Sequence, residues 1–210
     1  MLLYPEVQAK AHREIDHVVG DRYPTTEDRD QLPYLNAVWK ETLRWAPPVP
    51  LGTPILCYGV SQFTVNSLSG VPHVNTQNSE YNGYHIPKGS YLHANIGCIL
   101  RDPEVYDSPS VFNPDRFLNE ATPEPAVAFG YGHRYILRSL LMKPSLLGPH
   151  RVCPGNVLSD HIILYVLLNV LWAFRIDVFP GELRPKPDEL KFMDSAIRHV
   201  QRFLTVFDIA

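Results

Sequence analysis

Three groups of residues have types and spacings that could do chemistry. Glu41 and Arg44 stand at i and i+3 in "ETLR", so a helix would place carboxylate and guanidinium on one face as a charged unit beside its apolar stripe. A chain of this length holds such a pair by chance about once, and alone it reads equally as a solvated helix face. Arg116, in "FNPDRF", could reach back to Glu41 and share it with Arg44, pinning a rigid coil to the helix through bidentate hydrogen bonds. Alone it reads as a loop arginine. The third group is divided: "FGYGHR" ends at Arg134 and "VCPG" begins at Val152. Removing the 17 residues Tyr135 to Arg151 joins them as Phe129-Gly-Tyr-Gly-His-Arg-Val-Cys-Pro-Gly. An aromatic, two glycines, an arginine, a cysteine and a final glycine in fixed register are not a chance pattern.

The elements that must position these groups follow from hydrophobic spacing. From Pro5, Val7, Ala11, Ile15 and Val18 line one face of a helix that starts on proline and stops at Gly20. A second helix carries Leu35, Val38, Trp39 and Leu43 and ends at Pro47 and Pro48. Short β-type pieces fill Pro50 to His93, with a tight hairpin at Asn82-Gly83. Arg101 to Glu120 reads as irregular coil with one helical turn, to be anchored by side chains. After Gly155 comes the most apolar helix, and the chain ends in a strand or hairpin. The order is helices, sheet, coil, helix, sheet: an α+β arrangement.

Composition narrows the function classes. The 210 residues are 45% hydrophobic and 20% charged with net charge -3, enough apolar material for a core. No lysine- and arginine-rich run interleaved with aromatics tracks a phosphate backbone, so nucleic-acid binding has no support. The longest apolar run, His161 to Phe174, is short of the roughly 20 residues that cross a bilayer and is expected to form a buried helix. The N-terminus does not read as a secretory signal. Cys57, Cys98 and Cys153 make no C-x-x-C pair and no even framework, which argues against a disulfide scaffold or structural zinc. Twenty prolines, about twice the usual ~5%, exclude a pure helical bundle.

In their order, Glu-x-x-Arg, Pro-x-Arg-Phe and the joined Phe-x-x-Gly-x-Arg-x-Cys-x-Gly, followed by a long apolar helix, closely resemble the cytochrome P450 haem-thiolate monooxygenases. "LYPEVQAKAHREI", "HIPKG", "RDPEVY" and "FNPDRF" are similar to fungal members. The resemblance implies that residues 1–210 are a C-terminal, haem-proximal part of that fold, mainly helical with small β-sheets and incomplete. It implies that Cys153 is both the catalytic thiolate and the metal ligand, pushing electron density onto iron; the positive end of the following helix and the iron favour the anion. It implies that Phe129 covers the thiolate and that Gly130, Gly132 and Gly155 let the backbone approach the porphyrin. Either Arg134 or Arg151 would pair with a haem propionate. His73 resembles a further propionate contact, though it also reads as a polar loop residue. Glu41, Arg44 and Arg116 match the family's structural triad. Cys98 matches no catalytic position and is expected to be a small buried side chain.

The implied cofactor is haem b, with dioxygen and NADPH-derived electrons from a cytochrome P450 reductase, and the implied substrate is a small organic molecule. The implied parent sits on the cytosolic face of the endoplasmic reticulum membrane, its anchor and oxygen-activating helix lying upstream of Met1. Two segments lack the resemblance: Thr53 to Gly70, and Tyr135 to Arg151, each breaking a good match as a translated intron would. Loop entropy alone tolerates them, at about 0.6 kcal/mol per doubling of length, but the second frees the arginine from the cysteine. Two readings stay open: a monooxygenase, and a truncated non-enzymatic product that does not bind haem.

Overall fold

The computed structural model describes residues 1–49, 73–131, 153, 155–187 and 205–209. The segments 53–70 and 135–151, together with Gly132, Arg134 and Arg151, lie outside the described residues. Helix α1 (Pro5–Val18) begins on proline and buries Val7, Ala11 and Ile15, and the chain turns at Gly20 with φ +59°. Helix α2 (Pro33–Trp45) buries Leu35, Val38, Trp39 and Leu43 along one side. Leu32, which precedes it, has no side chain able to cap. Glu14 of α1 takes that role: its carboxylate accepts the Tyr34 and Leu35 N–H groups, both at 2.8 Å. A carboxylate there satisfies orphan donors and suits the positive helix end.

Between the helices a 3₁₀ turn, Thr26–Gln31, is closed by a capping box. The Thr25 N–H donates to Asp28 Oδ2 at 2.7 Å, and Arg22 grips both oxygens of the same carboxylate.

Four short strands follow: β1 (His73–Val74), β2 (Ser79–Tyr81), β3 (Tyr84–Ile86) and β4 (Tyr91–Leu92). They form two antiparallel ladders, β1 with β4 and β2 with β3. Asn82 and Gly83 both take positive φ, 49° and 80°, the conformation that a two-residue hairpin of matching twist requires. A single-turn helix α3 (Ile96–Ile99), a 3₁₀ turn at Pro114–Leu118 and another at Ala126–Phe129 punctuate the coil. Helix α4 (Gly155–Ala173) runs into β5 (Phe174–Val178), which pairs antiparallel with β6 (Thr205–Ile209).

The main core joins α1, α2 and α4, with Leu164, Leu168 and Leu171 supplied by α4. Gln8 ties α1 to β5: its amide donates to the Ile176 carbonyl at 3.0 Å and accepts the Ile176 N–H at 2.9 Å. Two sequence expectations need correction. Helix α4 is 19 residues long and apolar enough to cross a membrane by length and composition, and it is not a wholly buried helix. Only Leu164, Leu168 and Leu171 are buried, while Val157, Leu158, Ile162, Ile163, Tyr165 and Val166 are exposed. Cys98 is exposed rather than buried: Ile96 on α3 and its C-cap Leu100, four residues apart, face the second core cluster with Tyr106, and Cys98 turns away from it.

The Asp28 bracket has a pH signature. Its hydrogen bond from Arg22 holds the carboxyl at about 2, below the ordinary 3.8. The folded value lies below the unfolded one, so the stabilisation is fully present above 3.8 and is lost as pH falls through about 2. Urea unfolding across that window should show a falling stability that flattens in Asp28→Asn; parallel slopes for both proteins would contradict the assignment.

Candidate functional site

Glu41 and Arg44 are both fully buried. Their helical spacing lets the guanidinium bind both carboxylate oxygens, Nε to Oε2 at 2.7 Å and Nη2 to Oε1 at 2.8 Å. Arg44 also donates to the carbonyls of Leu100 and Pro109, each at 2.9 Å, and Val111 at 3.3 Å. Arg116 joins from the coil: its Nε lies 3.2 Å from Glu41 Oε2, an ion pair without hydrogen-bond alignment. Its other nitrogens donate to Asp107 O at 2.8 Å and Val111 O at 3.2 Å. The Asn113 N–H completes Glu41 at 2.8 Å. The two arginines thereby satisfy carbonyls of a coil that has no ladder or helix to satisfy them, and the glutamate satisfies one of its N–H groups, which is what a buried irregular backbone requires. Tyr106, buried beside this cluster with its ring 5.3 Å from the Arg44 guanidinium, has its phenol pushed up by burial.

The braced coil leads to Phe129, and there the divided motif meets. The Cys153 N–H donates to the Phe129 carbonyl at 3.0 Å, and the Cys153 carbonyl accepts the Asn156 N–H at 3.0 Å. The cysteine therefore sits between the 3₁₀ turn and the first turn of α4. Gly130 follows with φ +129°, a conformation that favours glycine. A Cβ on Gly155 would stand 3.4 Å from Cys153 Sγ, so glycine leaves the sulfur's flank open. The Phe129 side chain packs on the main core. His73, on exposed β1, stacks on Tyr131 with ring centroids 4.5 Å apart, and Tyr131 donates to the Leu92 carbonyl at 2.9 Å. So the structure brings Phe129, Gly130, Cys153 and Gly155 together in one place, with His73 reaching the same loop through Tyr131.

Sequence reasoning missed three residues behind this loop. Asp160, on α4, accepts the Trp39 indole N–H at 2.9 Å on Oδ1 and binds Arg29 through Oδ2. The signal was present, because Asp160 is the one formally charged residue of an otherwise apolar helix.

The architecture is part of the cytochrome P450 fold. Two zebra fish cytochrome P450 structures match it: one with abiraterone (TM-score 0.72, 26% identity, 99% of this chain and 41% of that one) and one with progesterone (TM-score 0.70, 27% identity, 100% and 39%). The family model "Cytochrome P450" matches residues 1–55 and 64–135. A cytochrome P450 monooxygenase, COX2, of the fungus Coprinopsis cinerea is 39% identical over 91% of this chain and 31% of its own length. Cytochrome P450 monooxygenase 176 of Postia placenta is 37% identical over 97% of this chain and 34% of its own. The chain belongs to the cytochrome P450 family, and it spans about a third of the length of these curated relatives.

The residues fit the family's haem. Among the described residues no three His, Cys, Asp or Glu side chains come together, so Cys153 offers a single donor, which suits a metal carried in by its own macrocycle.

Removing Glu41 would leave Arg44 buried without its counter-charge. Glu41→Ala is expected to lose about 3–5 kcal/mol in urea unfolding. Arg44→Lys should also be strongly destabilising, since three donors cannot reach a carboxylate and three carbonyls in a planar fork's geometry. A loss below about 1 kcal/mol, the range of an exposed pair, would contradict the role given to this cluster.

Proposed function

We propose that this chain is the cysteine-ligand part of a haem-dependent monooxygenase, with Cys153 as the thiolate donor to iron. The observation that carries this reading is the hydrogen bond from Cys153 N to Phe129 O, which closes the divided motif across 23 intervening residues of chain. Haem, when bound, supplies the iron at which dioxygen is activated, so that one oxygen atom enters an organic substrate and the other leaves as water. What the chain's own residues do is hold that centre. Phe129 covers the thiolate, and Gly130, Gly132 and Gly155 let the backbone approach the ring closely. Arg134 or Arg151 pairs with one propionate and His73 with another, charge-assisted contacts that fix the ring's rotation. Glu41, Arg44 and Arg116 hold the coil from which Phe129 projects. The electrons come from NADPH through a cytochrome P450 reductase, and the parent protein belongs on the cytosolic face of the endoplasmic reticulum.

Residues 53–70 and 135–151 are read as insertions foreign to the family. The family match breaks between 55 and 64, inside the first segment, and ends at 135, where the second begins. A second reading, that the 210 residues alone do not hold haem, is favoured by the exposed apolar side of α4, since a helix apolar all round is ordinarily covered on every side.

Expression with haem decides between them. The reduced, CO-bound chain should show a thiolate-type Soret band that disappears in Cys153→Ala and persists in Cys98→Ala. A wild-type chain without that band supports the second reading.

A further inference from the structure

We propose that Asp160 is a positioning residue for Cys153, fixing the rotation of α4 through Trp39 and Arg29. This rests on the reading of Cys153 as the thiolate donor. Helix α4 is apolar on nearly every face and carries one formally charged residue. Apolar burial is non-directional, so such a helix can turn about its axis on the core with little change in the area it buries. A single polar contact then sets register, as a lone polar residue does in an apolar helix seam.

Near the cysteine that contact is Asp160. Both of its oxygens are used, Oδ1 by the Trp39 indole at 2.9 Å and Oδ2 by Arg29. Its partners stand on two different elements, α2 and the 3₁₀ turn Thr26–Gln31, so it is held from two directions. At the far end of α4, Trp172 donates to the Gly20 carbonyl at 3.0 Å, which ties that end alone. Asp160 follows Cys153 by seven residues, close to two helical turns, and the Asn156 to Cys153 hydrogen bond makes the cysteine continuous with the helix. A turn of about 30° moves an atom about 5 Å from the axis by about 2.5 Å. A metal donor needs placement within about 0.5 Å, so the rotation that hydrophobic packing leaves free is large enough to spoil ligation.

The test uses the 210-residue chain carrying Cys57→Ser and Cys98→Ser, so that Cys153 is its one thiol. Trp39→Phe should raise the rate of Cys153 alkylation by iodoacetamide about tenfold in the haem-free chain, the scale on which losing one charge-assisted hydrogen bond favours local opening, and Asp160→Ala, which loses two, should raise it further. With haem added, the same variants should convert part of the thiolate-type Soret band into a non-thiolate band, and Asp160→Asn, which keeps the indole bond, should retain more of it than Asp160→Ala. Arg29→Gln, a milder change, serves if either variant fails to fold. Unchanged alkylation and an unchanged band, with thermal stability alone reduced, would overturn the proposal. A wild-type chain lacking the thiolate band would overturn the functional reading instead, and the alkylation rates would still decide the role of Asp160.

Discussion

The rest of the structure depends on a carboxylate that has no access to water. Glu41 is fully buried on α2, a position that is costly for an ion unless its charge is matched and its lone pairs are filled. Arg44 fills two of them from the next turn of the same helix, the Asn113 N–H of the coil fills a third, and Arg116 adds a second positive charge. The arginines then spend their remaining donors on the carbonyls of Leu100, Asp107, Pro109 and Val111. The coil is thus held by side chains from α2 in place of a ladder or helix of its own.

The opposite side of α2 holds the other half of the site. Trp39 reaches Asp160, so the helix that bears Glu41 and Arg44 also ties α4, and the two arms that meet at the Phe129 to Cys153 hydrogen bond are anchored to one element. That arrangement explains how the divided motif can close across a long intervening segment. Loop length enters the closure free energy only logarithmically, whereas the anchors at each end are charge-assisted, the Glu41 cluster buried and the Asp160 contacts half-buried. What matters is that each arm is fixed before the loop begins.

Some of this was legible in the sequence. The spacing of Val7, Ala11 and Ile15, the proline starts of α1 and α2, and the Asn82-Gly83 turn are local signals, and local structure followed them. Glu41 and Arg116 lie 75 residues apart, and their pairing was readable only through the family resemblance of three ordered motifs. Helix α4 was misread because apolar composition demands burial without saying what supplies it. Cys98 was misread because residue type outweighed position: Ile96 and Leu100 set the inward face of so short a helix. Glu14 capping α2, and Gln8 bonding β5, depend on how helices pack, for which no local pattern exists. Asp160 did leave a trace, a charge where an apolar helix has no reason to carry one.

Coil and α2 form one cooperative unit through the buried glutamate. Native-state hydrogen exchange of the Asn113 amide, whose acceptor is Glu41 Oε1, tests this most directly. Asn113 is expected to exchange as slowly as the core amides of α2, near Leu43, and in the same opening event. Exchange of Asn113 at the rate of an unprotected loop, while α2 stays protected, would contradict it.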